Sequence, residues 1–362
     1  MFRLPSDPGY GYVFSASQDG VSAIFYRDPY FHVAARALAW IASWFPLEWQ
    51  ALSLALLVHL VWTICAVVIS SALWLETNSR GVGVLAGLLV VTAPHASESS
   101  LGNVGNVKWP LIMATVVVCA SHQYMRRHTP VVAALIIITG LTNPLLMVCL
   151  VPLVLVWFHH RPLRREALIL GVITGLVSLS NFMIVGLERA ASGRGSRVTA
   201  PWEDMGLFWW SGLLGPVIGG AVCLGCVLLF TSCNRTLGQL VLRLSLTAVL
   251  LHALSFRLGG IADRYFVAPM TLVFIAAVVC CVLISLNGRR MGLLAMASLA
   301  VVALIPSVKW FSAGWYLTGG PTWHSSVLSA RAACETASLA AVELSTSPSG
   351  TEELNCEFVL RG

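Results

Sequence analysis

Three groups of polar residues in an otherwise apolar chain have the types and spacing to do chemistry. The first is Pro94, His95, Glu98, Asn103, Asn106, Lys108 and Trp109, held between two apolar stretches. Packing against hydrocarbon does not explain a carboxylate, two carboxamides and an indole there. Polar groups at membrane depth are expensive and face a protected interior or a water-filled cavity. Asparagine both donates and accepts hydrogen bonds, which suits hydroxyl groups or the backbone of a re-entrant loop. The alternative is a capped turn, with Glu98 and the asparagines satisfying helix ends and Trp109 anchoring an interface.

The second group is Arg257, Asp263, Arg264 and Tyr265, in the run FRLGGIADRYFVAP. Two arginines beside a glycine pair, at a helix start, suit a phosphate, because the guanidinium fork matches phosphate oxygens. The helix N-terminus adds backbone donors. An Asp263–Arg257 surface pair is the competing reading. The third group is Asp7, Asp19 and Asp28. A carboxylate over a pocket can act as general base toward a hydroxyl. Asp-Pro and Asp-Gly are also common turn signals, and each of these three precedes proline or glycine.

The elements that must position these groups are set by composition. The chain is 57% hydrophobic and 10% charged, with mean hydropathy +0.81. Soluble domains carry about 25% charged residues. An all-α, polytopic transmembrane bundle is therefore expected. Apolar segments run approximately over 51–74, 82–95, 109–124, 130–141, 145–158, 167–187, 206–231, 237–255, 265–286 and 291–308. That gives nine or ten spans, several shorter than the ~20 residues needed to cross unaided. Thr142-Asn143-Pro144 should break 130–158 in two.

Charge placement orients the bundle. With the N-terminus outside, the inner links carry Arg80, Arg126/Arg127, Arg161/Arg164/Arg165, Arg235 and Arg289/Arg290. The acids Glu98, Glu188, Glu203, Asp204 and Asp263 then fall outside, as the positive-inside rule favours. The expected organisation is an extracytoplasmic segment 1–49, a transmembrane domain 50–309 and an extracytoplasmic polar tail 310–362. The tail is expected to be a small cap or partly disordered. A helix is expected from Tyr30 to Ser43, with Phe31, Ala34, Leu38 and Ile41 on one face and His32 and Arg36 on another. That pattern suits a helix lying in the interface plane. An external N-terminal segment of nearly fifty residues ordinarily follows a spanning helix or signal, so one upstream helix is expected to be missing.

The remaining reactive residues read as structural. Cys65, Cys119, Cys149, Cys223, Cys226, Cys233, Cys280 and Cys281 are small buried hydrophobes. Cys334 and Cys356 lie in the polar tail and are candidates for a disulfide. His59 and His252 sit on apolar helices, Arg243 is placed to snorkel near an inner helix end, and His122, His128, His159 and His160 border the cytosol. No Walker A, G-x-G-x-x-G, H-E-x-x-H or G-x-S-x-G pattern occurs, so ATP-driven pumping and soluble-type hydrolysis have no support. Net charge +6 is accounted for by topology and does not point to nucleic acid.

Three of these pieces resemble the GT-C superfamily of polytopic membrane glycosyltransferases, in particular its bacterial members. YFHVAARALAWIASWFP (Tyr30–Pro46) looks like that family's amphipathic external helix. PHASESSLGNVGNVKWPL (Pro94–Leu111) looks like its acidic, asparagine-rich loop ending in tryptophan. DRYFVAP (Asp263–Pro269) looks like a helix start late in those chains. The resemblance implies a transferase taking sugar from a polyprenyl-phosphate donor, at the non-cytosolic face of a bacterial inner membrane, to an envelope acceptor. It places the catalytic carboxylate in the first external loop, where Asp28, Asp19 and Asp7 remain. None of the three matches the family's acidic motif, which follows the absent first helix. Glu98, Asn103, Asn106, Trp109, Arg257, Asp263 and Arg264 would bind substrate. No cofactor is expected, and a divalent metal is left open. Membrane lipid, the lipid-linked donor and an unknown acceptor are the expected partners. A transporter or lipid-linked sugar flippase is the alternative, and a non-catalytic fragment a third.

Overall fold

Apolar runs too long for strands become helices throughout. The computed structural model describes residues 9–25, 31–92, 103–192, 234–259, 266–287, 322–337, 340–346 and 350–361. Among these the chain is all but entirely helical, with twelve α-helices. It divides into two units. One comprises Met1–Val61, Ser97–Lys108 and Trp310–Gly362, and the other comprises Trp62–Ala96 and Trp109–Lys309.

In the first unit, α1 (Gly9–Asp19) stops where Gly20 takes φ +60°. Glycine adopts that left-handed conformation without penalty, which is why Asp-Gly ends the helix. A 3-10 turn, Gly20–Phe25, follows, and α2 (Val33–Ala42) packs on both. The expected helix is present, and the side that carries His32 and Arg36 is the one turned inward. Ala35, Arg36, Ala39 and Ala42 are buried, while Phe31, Ala34, Leu38 and Ile41 are only half-buried. Alanine side chains let α2 approach its neighbours closely, and that carries Arg36 and His32 inward with them.

The polar tail is an ordered cap that includes strands. It contains α11 (Trp323–Ala337), β1 (Ala341–Thr346), β2 (Gly350–Asn355) and α12 (Cys356–Arg361). The strands pair antiparallel with Ala341 opposite Asn355. A disulfide joins Cys334 to Cys356 across 22 residues. The Trp323 indole donates to the Leu47 carbonyl at 2.6 Å, and the Arg331 guanidinium pairs with Glu48. The cap is thereby fastened to the 3-10 turn Leu47–Trp49.

Helix α3 (Gln50–Thr77) has its C-terminal part, from Trp62, in the second unit, where it ends beside α4 (Arg80–Thr92). Ser70 Oγ donates to the Gly83 carbonyl at 2.7 Å. A Cβ on Gly83 would stand 2.6 Å from the Ser70 carbonyl oxygen, and one on Gly87 2.3 Å from Ser70 Oγ. The two helices touch at backbone distance because glycine permits it. Next come α5 (Lys108–Ala120) and α6 (His122–Gly140). The sequence reading ran the apolar segment through 124. The break falls earlier, at Ser121, whose hydroxyl accepts from Tyr124 N at 3.3 Å and caps α6. Pro130 leaves only a kink at His128, which has φ −133° and ψ 35°. The expected break at Asn143-Pro144 is present, where Asn143 Oδ1 accepts from Leu145 N at 2.9 Å.

The unit continues with α7 (Leu150–His159), α8 (Arg164–Ser192), α9 (Arg235–Gly259) and α10 (Val267–Asn287). Helix α9 packs on α10 and α7, and α8 packs on α6 and α7. Among the described residues, four helices are long and apolar enough to cross a membrane: Leu47–Thr77, Arg161–Ile184, Arg235–Ser255 and Val267–Ser285. The first two of the shorter expected segments, 82–95 and 109–124, stay short as α4 and α5. Leu60 and Leu176 are 54% and 63% exposed. Exposure of that kind along α3 and α8 is compatible with membrane-crossing helices.

Candidate functional site

The residues chosen from sequence scatter over both units. Asp7, Asp28, Glu98, Asp263 and Arg264 lie outside the described residues. Arg257 falls on α9, but its side chain also lies outside them. Asp19 is the last residue of α1 and is exposed, and its carbonyl accepts from Ser22 Oγ at 2.7 Å. Its local structure is the Asp-Gly helix stop.

Asn103 and Asn106 are buried in the first unit. Asn103 Oδ1 accepts from Gly105 N at 2.9 Å, capping the 3-10 turn Val104–Asn106. That turn packs against α2. Trp109 belongs to the second unit and is fully buried, so it is a core side chain there and not an exposed anchor.

Arg36 is the polar centre of the first unit, 3% exposed. Its guanidinium lies 4.6 Å from the centre of the Tyr12 ring. Nη1 donates to Ser15 Oγ and to the Ala23 carbonyl, each at 3.4 Å. The Tyr12 ring also faces His32 at 5.6 Å. A buried guanidinium held by an aromatic face, a hydroxyl and a carbonyl is a centre of fixed positive charge.

The second unit holds a denser polar centre that sequence reasoning missed. Glu76 closes α3 with its side chain fully buried. Its Oε1 takes His122 Nδ1 at 2.5 Å, and its Oε2 accepts from Ser121 Oγ at 2.9 Å and Gln123 N at 3.0 Å. The carboxylate thus caps the N-terminus of α6, where negative charge is favoured. An ionised carboxylate only accepts, so His122 Nδ1 carries the proton.

The His122 ring stacks on His160, with centroids 4.3 Å apart and planes 11° apart. His160 Nε2 accepts from Arg243 Nη2 at 3.3 Å. Burial, then the charge of Arg243, pushes the His160 imidazole down to about 4. It is neutral at pH 7 and free to accept. Arg243 is fully buried and does not snorkel. Its Nη1 donates to the Ala120 carbonyl at 2.5 Å and its Nε to the Gln239 carbonyl at 3.0 Å. Burial of the guanidinium carries a desolvation cost, which the buried acceptors and the charge of Glu76 offset in part.

With His160 neutral, the centre sets the negative Glu76 against the positive Arg243. It can hold a proton on the Glu76–His122 pair and fix four helix ends. Among the described residues no three His, Cys, Asp or Glu side chains converge as metal ligands. The signal available in the sequence was Glu76, a carboxylate at the end of an apolar run, and Arg243, a cation inside one. Neither sits in a motif, and their pairing partners are far away along the chain. In comparisons with known proteins, no family model, no curated protein and no solved structure matches this chain.

Proposed function

We propose that the chain is a multi-pass integral membrane protein of nine or ten spans in a bacterial inner membrane. It acts as a glycosyltransferase that uses a polyprenyl-phosphate sugar donor at the non-cytosolic face. The observation that carries this reading is the packing of α2 on the Val104–Asn106 turn. Two of the three segments that resemble the GT-C superfamily therefore meet within one unit. That same unit takes in 310–362, the third stretch that charge placement puts on the outer side. Its Cys334–Cys356 disulfide suits an oxidising compartment.

The chemistry needs no nucleotide. One of Asp28, Asp19 and Asp7 takes the acceptor hydroxyl proton. The acceptor oxygen bonds to the sugar's anomeric carbon as the bond from that carbon to the phosphate oxygen breaks. The polyprenyl phosphate leaves with the electron pair.

The test is transfer of labelled sugar from a polyprenyl-phosphate donor by the full chain in liposomes. Single Asp28→Asn, Asp19→Asn and Asp7→Asn variants identify the base, and at least one should lose activity by 100-fold or more, roughly the worth of a general base. Undiminished transfer in the triple variant would remove the carboxylates from the mechanism. A transporter is the second reading, favoured by the buried ionisable centre at Glu76. Donor translocation without transfer, lost in Glu76→Gln, would replace the first reading with it.

A further inference from the structure

The Glu76 centre ties four links of the second unit into one face. Glu76 touches His122, His122 lies on His160, and His160 takes Arg243. These residues bring together the α3–α4, α5–α6 and α7–α8 links and the start of α9. The exposed cations around them are Arg80, Arg126, Arg127, Arg161, Arg164, Arg165 and Arg235. The carboxylates on the same described links are Glu76 and Glu166, and neither is exposed.

Two of these arginines lie on tryptophan. The Arg80 guanidinium is 5.2 Å from the centre of the Trp74 ring, and that of Arg164 is 5.1 Å from the Trp157 ring. Arg164 Nε also donates to the Trp157 carbonyl at 3.1 Å, which fixes its head and leaves both Nη groups outside that bond. Both rings remain partly exposed, Trp74 at 42% and Trp157 at 36%. The apolar outer surfaces of α3 and α8 run directly into them, through Val67 at 58% and Leu168 at 60%. The order along the surface is hydrocarbon-like side chains, then indole, then arginine. That is the polarity profile of one lipid leaflet, from acyl chain to phosphate.

We propose that this face binds the headgroups of anionic phospholipids, with Arg80 and Arg164 as the residues that grip phosphate. An acidic protein or nucleic acid would meet the positive charge but would not use the apolar and indole bands that lead to it. Arginine's planar fork takes two phosphate oxygens at once, and stacking on indole holds that fork in place. The inference rests on insertion in a bilayer and is independent of the transferase reading.

The experiment compares the full chain in nanodiscs of phosphatidylcholine alone and of phosphatidylcholine mixed with phosphatidylglycerol. The thermal midpoint should rise with phosphatidylglycerol, and high salt should shrink the rise. The double variant Arg80→Gln, Arg164→Gln should lose about half or more of that lipid-dependent rise. Reading the difference between the two discs cancels any change in basal stability. Native mass spectrometry should show phosphatidylglycerol retained on the wild type and depleted on the variant. Equal midpoints in both discs, an undiminished rise in the double variant, or the same rise from inorganic phosphate in phosphatidylcholine discs would each overturn the proposal.

Discussion

The imidazole of His122 lies flat on that of His160, their centroids 4.3 Å apart. One ring is tied to a carboxylate and the other to a guanidinium, so the stack transmits order between α6, α7 and α9 without placing like charges together. It holds only while His160 is neutral.

Acid should therefore loosen the second unit. The folded-state pKa of His160 is about 4, below the unfolded value of about 6.5. The unfolded chain takes up this proton first as pH falls, so stability is full above about 6.5 and drains away down to about 4. His160 meets His122, Arg243, His159 and the field of Glu76. Thermal midpoints across this range should show the slope in wild type and a shallower one in His160→Phe. Identical slopes would assign the acid sensitivity elsewhere.

Removing the charge on Glu76 should cost more than removing both charges. Glu76→Gln leaves the Arg243 guanidinium buried without its countercharge, at a cost on the order of 3 kcal/mol. Glu76→Gln combined with Arg243→Met should recover much of the loss, since no uncompensated buried charge remains. Denaturant unfolding in detergent measures both. Simple additivity would show that the two residues do not act as a pair.

The contact between α3 and α4 should tolerate no side chain at two positions. Gly83→Val and Gly87→Val drive a branched side chain into Ser70 and should each cost about 1–3 kcal/mol. Gly81→Ala is the internal control, because its Cβ would meet nothing nearer than Ser79 Oγ at 3.9 Å. Comparable losses in all three would mean that close approach does not set the effect.

Cys334→Ser should weaken the cap by about 3 kcal/mol, the entropy of closing a loop of this size. Limited proteolysis should then cut first in 322–361 while the long helices persist. A digestion pattern unchanged from wild type would make the crosslink energetically silent.

The helices were legible because their signals are local. The residues of 51–74 and 237–255 show by themselves that these are apolar runs, and Asn143-Pro144 announces its own break. The tail's strands were not legible, because Ala341–Thr346 becomes a strand only through its partner Gly350–Asn355 and the helix packed on it. Ser121 was overlooked because a single capping hydroxyl inside an apolar stretch resembles any tolerated polar residue. For α2, hydrophobic periodicity gave the helix and its two faces, but not that small alanines would bring the Arg36 side into close contact with its neighbours. The Glu76 centre was invisible for a different reason: its members are 46 and 83 residues apart along the chain, and only tertiary packing brings them together.

The Trp323–Leu47 hydrogen bond has a consequence for biogenesis. Its partners are separated by 276 residues, which a ribosome adds in roughly 15–60 s. The start of the first long helix must wait that interval for the indole that completes its surroundings. Nascent chains halted before Trp323 should present Leu47 and Glu48 unclaimed, a natural target for quality-control proteases and for membrane chaperones that shield unfinished polytopic proteins.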